Sequence, residues 1–376
     1  MTHENTQITS PPSPSEILLH LGPQHPLQPG PFLLDLKIDG ETIREAELKI
    51  GYIHKGMEKV FEDRTYIQIM PLTDRICYLA SNANNDVYCR AVEELLGIEP
   101  TPRAKYLRVI TNELNRIQSH LLGIGEYTTD VGFLTMFIYM VRERESIVSL
   151  LEAITGSRLN HNYARFGGVA NDLPPNYKSM ALKTLGEIGK LVKSHDEMMS
   201  SDSIYLKRTK GVGVLTDKVA SELGVAGPPL RATGVEYDLR RIEPYLVYDD
   251  LDFKVITQQD GDVFSRVKVR LLEIQESIFI IEQCLDQMPS GPYKQHVTPY
   301  ITRPKVGEVY TRIEDPRGEL AMYLVSDGSN KPYRFRIRGP AFATAQALPP
   351  LLIGTYMADV AAIAASMDSC TSEVDR

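Results

Sequence analysis

The sequence predicts an α+β protein, a central bundle of long helices with small antiparallel sheets near the N- and C-termini. Two observations carry this. Apolar residues recur at helical spacing through long segments, at 73–97, 101–121, 131–154, 176–200 and 263–288, which is the pattern of helices with a buried face. Alternating apolar and polar residues flank Asp39-Gly40 near the start, and flank Asp327-Gly328-Ser329-Asn330 near the end, the pattern of hairpins.

At 376 residues and 43% hydrophobic content, the chain can bury a sizeable core. A formal charge of −8 and a pI near 5.6 argue against a nucleic-acid partner, because a phosphate-binding surface needs a basic excess. Cys77, Cys89, Cys284 and Cys370 lack CxxC spacing. They do not form a disulfide framework, and a reducing, cytoplasmic setting follows. There is no internal repeat and no glycine-rich phosphate loop.

In chain order, residues 1–15 are polar and proline-rich and are expected to be a disordered tail. Residues 16–54 form an antiparallel β segment: a strand at 17–21, a loop, and a hairpin of 32–38 with 42–50. Residues 55–376 form a helical body with a hairpin near 319–338, in one structural unit with 16–54. Thr73 is expected to cap a helix that runs to Gly97. Thr101-Pro102 opens the next, whose stripe of Leu107, Ile110, Leu114, Ile117 and Leu121 faces the core. The helix at 131–154 carries the run Arg142-Glu143-Arg144-Glu145 mostly on its solvated side and stops at Gly156. A Gly-, Asn- and Pro-rich connection at 163–175 leads to a helix at 176–200. A short helix at 217–223, an irregular stretch and a helix at 263–288 follow. The closing segment 341–367 is long enough to span a membrane, with only Asp359 charged. Its alanines, Gln346 and Pro349-Pro350 instead favour a buried helix pair, so membrane attachment must come through a partner.

The stretch LHLGPQHPLQPG, residues 19–30, is the first candidate site. Gly22, Pro23, Pro26, Pro29 and Gly30 forbid regular structure and fix the backbone around Gln24 and His25. Rigid loops position side chains, and histidine titrates near neutrality. The segment 71–80 offers Asp74, Arg75, Cys77 and Tyr78, which could face that loop. Tyr78 is either a proton donor or a core residue with a satisfied hydroxyl. Glu113, Arg116 and His120 share one helix face and form a structural ion network, because the arginine between them spoils metal spacing. Asp130, just before an apolar helix, suits an N-cap. Cys77 and Cys370, each near a helix end, could converge on one metal. A sulfur-bound metal usually takes four ligands, however, and neither cysteine has a second thiol nearby.

GPQHP (22–26), GYIHKGMEK (51–59), YIQIMPLTDR (66–75), ELNRIQSHLL (113–122), TGSRLNHNYARFGGV (155–169), RGELAMYLVSDGSNKPYRFRIR (317–338) and EVDR (373–376) together resemble the 49-kDa, D-type subunit of respiratory complex I. The matches run in order and cover essentially everything after the tail. That family is similar to the large subunit of nickel-iron hydrogenases, whose metal is held by RxCxxC and DPCxxC motifs. Those positions read RICYLA (75–80) and DSCTSE (368–373) here. Half of each thiol pair is missing, so the chain alone is expected to bind no metal and no cofactor.

The resemblance implies an oxidoreductase subunit whose emptied metal site receives a lipid-soluble electron carrier as substrate. It further implies a 4Fe-4S cluster in a neighbouring iron-sulfur small subunit of B type, with C-type and membrane H-type subunits as partners. The whole would be an ion-translocating complex with this chain peripheral on the cytoplasmic face of the membrane. Tyr78 falls on the family's quinone-binding tyrosine, His25 on the first histidine of its HPSTHG loop, and Asp130 on the aspartate that partners the second. That second histidine is Pro29 here, which has no proton to give. The pattern looks like the version in archaeal complexes that pass electrons from a reduced deazaflavin, where others use NADH, to methanophenazine; a quinone is the other acceptor. A nickel-iron hydrogenase-type subunit and a non-catalytic scaffold are the alternatives.

Overall fold

A computed structural model describes residues 15–25, 30–295 and 303–376. The N-terminal sheet has the order β1 (Glu16–Leu21), β2 (Leu33–Asp39), β3 (Thr42–Lys49), all antiparallel. Gly40, at φ +63°, supplies the left-handed turn between β2 and β3, a conformation that a side chain would strain.

Helices α1 (Met57–Glu62), α2 (Tyr66–Thr73), α3 (Ser81–Leu96), α4 (Pro102–Asp130) and α5 (Leu134–Thr155) follow. A two-residue ribbon, β4 (Ala164–Arg165) with β5 (Gly168–Val169), precedes α6 (Tyr177–Ser201), α7 (Ser203–Thr209), α8 (Asp217–Leu223), α9 (Pro228–Arg231), α10 (Leu239–Ile242) and α11 (Val263–Gln287). The second sheet has the order β6 (Gly307–Asp315), β7 (Gly318–Ser326), β8 (Pro332–Arg338). Short helices α12 (Pro340–Gln346), α13 (Leu348–Leu352), α14 (Val360–Met367) and α15 (Thr371–Asp375) close the chain. The architecture is α+β, with the helix bundle and the two terminal sheets where the sequence places them. No helix among the described residues is long and apolar enough to cross a membrane.

One continuous apolar core runs from Phe32 to Met367. Its axis is α4, whose 29 residues span about 43 Å and pack on α3, α5, α11 and α14. Thr101 caps it, its Oγ1 accepting from Ala104 N. The helix buries charge as well as apolar surface. Glu113 receives Arg116 at 3.2 Å and Arg240 at 3.1 Å, and accepts hydrogen bonds from Tyr248 and Ser277, each at 2.6 Å. His120 does not join that pair: its Nε2 lies 2.9 Å from Glu273, which Arg231 also holds at 2.7 Å while binding Glu314 at 2.7 Å. Arg116 also donates to the carbonyls of Glu314 and Asp315, tying α4 to the end of β6.

Several expectations need correction. Thr73 ends α2 rather than capping a later helix, and its hydroxyl donates to Met70 O. The chain is then non-helical until Tyr78, so residues 74–77 are a sharp connection and no helix starts at Thr73. Strand β6 has no counterpart among the expected elements, because its charged positions hide the alternation that pairs it with β7. Within the run at 142–145, Glu143 is buried against His195 at 3.1 Å and Arg144 is half-buried. The segment 341–367 holds three short helices rather than a pair.

Burial alone would raise the Glu113 carboxyl, but Arg116 and Arg240, with the Ser277 and Tyr248 hydrogen bonds, bring it down to about 2 from the ordinary 4.5. A carboxylate whose folded pKa is depressed adds stability above its unfolded pKa and loses it as pH falls through the folded value. Denaturant titrations should therefore show Glu113→Gln less stable than wild type by about 3–5 kcal/mol at pH 7. That gap should narrow as pH falls from 4.5 toward 2; a gap independent of pH would contradict the network's charge.

Candidate functional site

Four segments remote in sequence meet around one cation. Arg317, in the turn between β6 and β7, is buried. Its guanidinium donates to Asp368 Oδ1 and to Asp368 O, each at 3.0 Å, to Ser119 Oγ on α4 at 3.1 Å, and to Cys77 Sγ at 3.7 Å. Its backbone N–H binds Asp315 at 2.8 Å. Asp368 sits just past α14 in left-handed backbone, φ +53°, a strained placement for a non-glycine residue. It brings the carboxylate onto α4, where Gly123 leaves room: a Cβ there would lie 3.2 Å from both Asp368 oxygens.

Cys77 and Cys370 are hydrogen-bonded to each other. The Cys77 thiol is pushed well up because it donates to Cys370 and is buried, whereas Cys370 is brought down by accepting that bond and by Arg317. Cys77 therefore holds its proton more firmly than Cys370 does. All four cysteines are free thiols. Glu373, one turn after Cys370, is buried and accepts from Ala341 N at 2.9 Å; burial, Asp315 and Cys77 push its carboxyl well up.

Tyr78 follows Cys77 on a single 3-10 turn, Tyr78–Ala80, and is 43% exposed. Burial of its hydroxyl, with Glu126 and the two cysteines near, raises its pKa, so the phenol keeps its proton across the physiological range. Asp130 is the last residue of α4 and is half-buried. It does not cap α5, whose N-cap is Phe133, without a side-chain bond. Burial and Glu126 raise Asp130 to about 7. Glu126, which no motif singles out, thus lies electrostatically between Tyr78 and Asp130.

Gly30, where the described chain resumes, lies at this place. Gly30 abuts Thr371, the residue after Cys370, so closely that a Cβ on Gly30 would lie 1.8 Å from Thr371 Oγ1. Gly22, Pro23, Gln24 and His25 lead away from β1, with His25 half-buried. Pro26 and Pro29 lie outside the described residues. His25 and Gly30 are five positions apart in the chain, which confines His25 to within about 18 Å of Gly30. Glu113, Arg116 and His120 belong to the buried network on α4 and not to this hollow. Burial lowers His120 to about 4, so it is neutral and donates to Glu273.

Residues 130–306 and 295–376 match the family described as respiratory-chain NADH dehydrogenase, 49 Kd subunit. The chain belongs to this family. It is 56% identical to the D-type subunit of the F(420)H(2) dehydrogenase of Methanosarcina mazei over 367 residues, covering 96% of this chain and 98% of that one. It is 46% identical to the D-type subunit of the NADH-quinone oxidoreductase of Dehalococcoides mccartyi, with 96% and 98% covered. Among solved structures it is similar to a chain of the membrane-bound sulfane sulfur reductase, an archaeal respiratory membrane complex, with TM-score 0.92, 36% identity, and 98% of this chain and 100% of that chain covered. This 49-kDa-type chain is accordingly an oxidoreductase subunit. Its residues do not fit a four-sulfur metal centre. Two of the four motif positions are Ala80 and Glu373, and a buried guanidinium donates to one of the two remaining sulfurs.

The Gly30–Thr371 contact gives a direct test of how the loop is seated. Gly30→Ala should lower the melting temperature of the chain, and Thr371→Gly in the same chain should recover most of that loss. Equal losses in the single and double variants would show that the loop is held elsewhere.

Proposed function

We propose that this chain forms, with an iron-sulfur small subunit, the pocket where a lipid-soluble carrier is reduced and protonated, in a membrane-bound, ion-translocating oxidoreductase related to complex I. Methanophenazine is the favoured carrier and a quinone the other acceptor. The observation that carries this reading is the half-exposed phenol of Tyr78, one residue from the buried cluster of Cys77 and Arg317 and within the electrostatic reach of the raised acid Glu126. A two-electron, two-proton reduction needs proton donors at the carrier, and a general acid works best with a pKa near the operating pH. Tyr78 gives its proton to a ring atom of the carrier, and Asp130, at about 7, exchanges protons near neutrality. His25 positions the carrier from the loop or assists its protonation.

The likeness to the F(420)H(2) dehydrogenase chain supports a deazaflavin-linked electron supply, and Pro29 in place of the family's second histidine supports an acceptor other than a quinone. Electrons arrive from the 4Fe-4S cluster of the B-type neighbour, and C-type and H-type subunits complete the attachment to the cytoplasmic face of the membrane. Leu134 and Ile138, one turn apart at the start of α5 and 59% and 58% exposed, are apolar surface that suits burial by a partner subunit.

In the assembled complex, Tyr78→Phe should reduce carrier turnover about a hundredfold while leaving assembly intact. Unchanged turnover per assembled complex would remove Tyr78 from the chemistry and favour a scaffold role.

A further inference from the structure

We propose that Glu126 is the proton-relay residue that stands in for the family histidine missing at Pro29, returning a proton to Tyr78 each time Tyr78 has protonated the carrier. This rests on the reading of the hollow as a carrier-reducing pocket.

The geometry begins on α4. Ser119, Gly123, Glu126 and Asp130 are spaced by four, three and four residues, which stacks them on one helix face. The first two are pinned to the hollow: Ser119 Oγ accepts from Arg317 at 3.1 Å, and Gly123 lies against the Asp368 carboxylate. Glu126 continues the face by one turn and Asp130 by two. Asp368 Oδ2 accepts no hydrogen bond among the described residues, and its near cation, Arg270, is 3.9 Å away. Negative charge is therefore left facing the helix where Glu126 emerges.

The titratable and charged groups that act on Glu126 or on which it acts are Asp368 after α14, Arg317 from the β6–β7 turn, Arg144 from α5, Tyr78 from the 3-10 turn and Asp130 from its own helix. Burial and Asp368 raise its carboxyl, against the opposing pull of Arg317 and Arg144. It thus holds a proton closer to neutrality than an ordinary glutamate does.

Atoms and electrons balance through the cycle. The carrier takes two electrons from the oxidoreductase's reduced donor and two protons through Tyr78. Each time, the phenol O–H bond breaks as a bond from hydrogen to a carrier ring atom forms. The phenolate takes the carboxyl proton of Glu126, directly or across one water. The Glu126 carboxylate regains a proton from Asp130, which takes one from solvent. After two passes the chain is unchanged and the carrier carries two added hydrogens.

The test uses the assembled complex with a soluble phenazine as acceptor, and compares wild type, Glu126→Gln, Glu126→Asp and Tyr78→Phe from about pH 6 to 9. The wild-type rate should decline as pH rises above about 7, because the relay acids lose their protons. Glu126→Gln should turn over about tenfold more slowly or worse with a flattened pH profile, and Glu126→Asp should recover part of the rate and of the slope. The relay role is overturned if Glu126→Gln keeps the wild-type rate and profile. A uniform loss at every pH that aspartate does not repair overturns it as well. In either case, loss of turnover in Tyr78→Phe would leave the pocket reading standing, whereas a fully active Tyr78→Phe would remove that reading and the relay with it.

Discussion

A buried guanidinium cannot be left without partners, because an unpaired charge in the interior costs several kcal/mol, and Arg317 is where this fold meets that constraint. Its donors reach Asp368, Ser119 and Cys77, which belong to the C-terminal segment, to α4 and to the turn after α2. Satisfying one cation therefore draws three remote stretches of chain to a point. The turn that carries Arg317 is itself held by Arg116, which donates to the two carbonyls just before it. Arg116 is fixed in turn by Glu113. The ion network inside the bundle and the hollow at its edge are thus one electrostatic structure, joined along α4.

That structure also explains the chemistry available at the rim. Where the related nickel-iron centre would need four sulfurs, two remain, hydrogen-bonded to each other, and a cation lies beside them. What is left is a set of groups that can hold protons: a thiol, two half-buried acids and a phenol, each shifted so as to stay protonated longer than in water. A set of this kind suits an acceptor that needs protons as much as electrons.

How much of this can be read in the sequence depends on which force sets each element. The long helices and the hairpin at Asp39-Gly40 follow from apolar period and turn chemistry, and both are where those signals place them. Gly97, Gly156 and Thr101 mark helix ends by local backbone preference, and they do so here. Elements set by tertiary charge pairing are not legible. Strand β6 carries Glu308, Arg312, Glu314 and Asp315, of which Glu314 and Asp315 are buried because Arg231 and Arg317 meet them. Thr73 reads locally as a cap, but the turn at 74–77 is held by tertiary contacts, Asn162 N–H donating to Asp74 and Arg317 donating to Cys77. Asp130 reads as a cap because an apolar run follows it, although α4 extends to include it. The pocket residues that the sequence does yield are those in family motifs. Arg317 lies inside such a motif without any local feature to single it out. Glu126 is discoverable from its spacing to Ser119, Gly123 and Asp130, a stripe of small and acidic residues opposite the apolar one.

The proposed function depends on the electron carrier binding beside Tyr78, next to the cluster around Arg317. A cryo-electron microscopy map of the assembled complex with a non-reducible phenazine analogue tests this most directly. Planar density is expected within hydrogen-bond reach of the Tyr78 hydroxyl, bordered by the loop that ends at Gly30. Density for the analogue at another surface, with Tyr78 in contact only with protein, would contradict it.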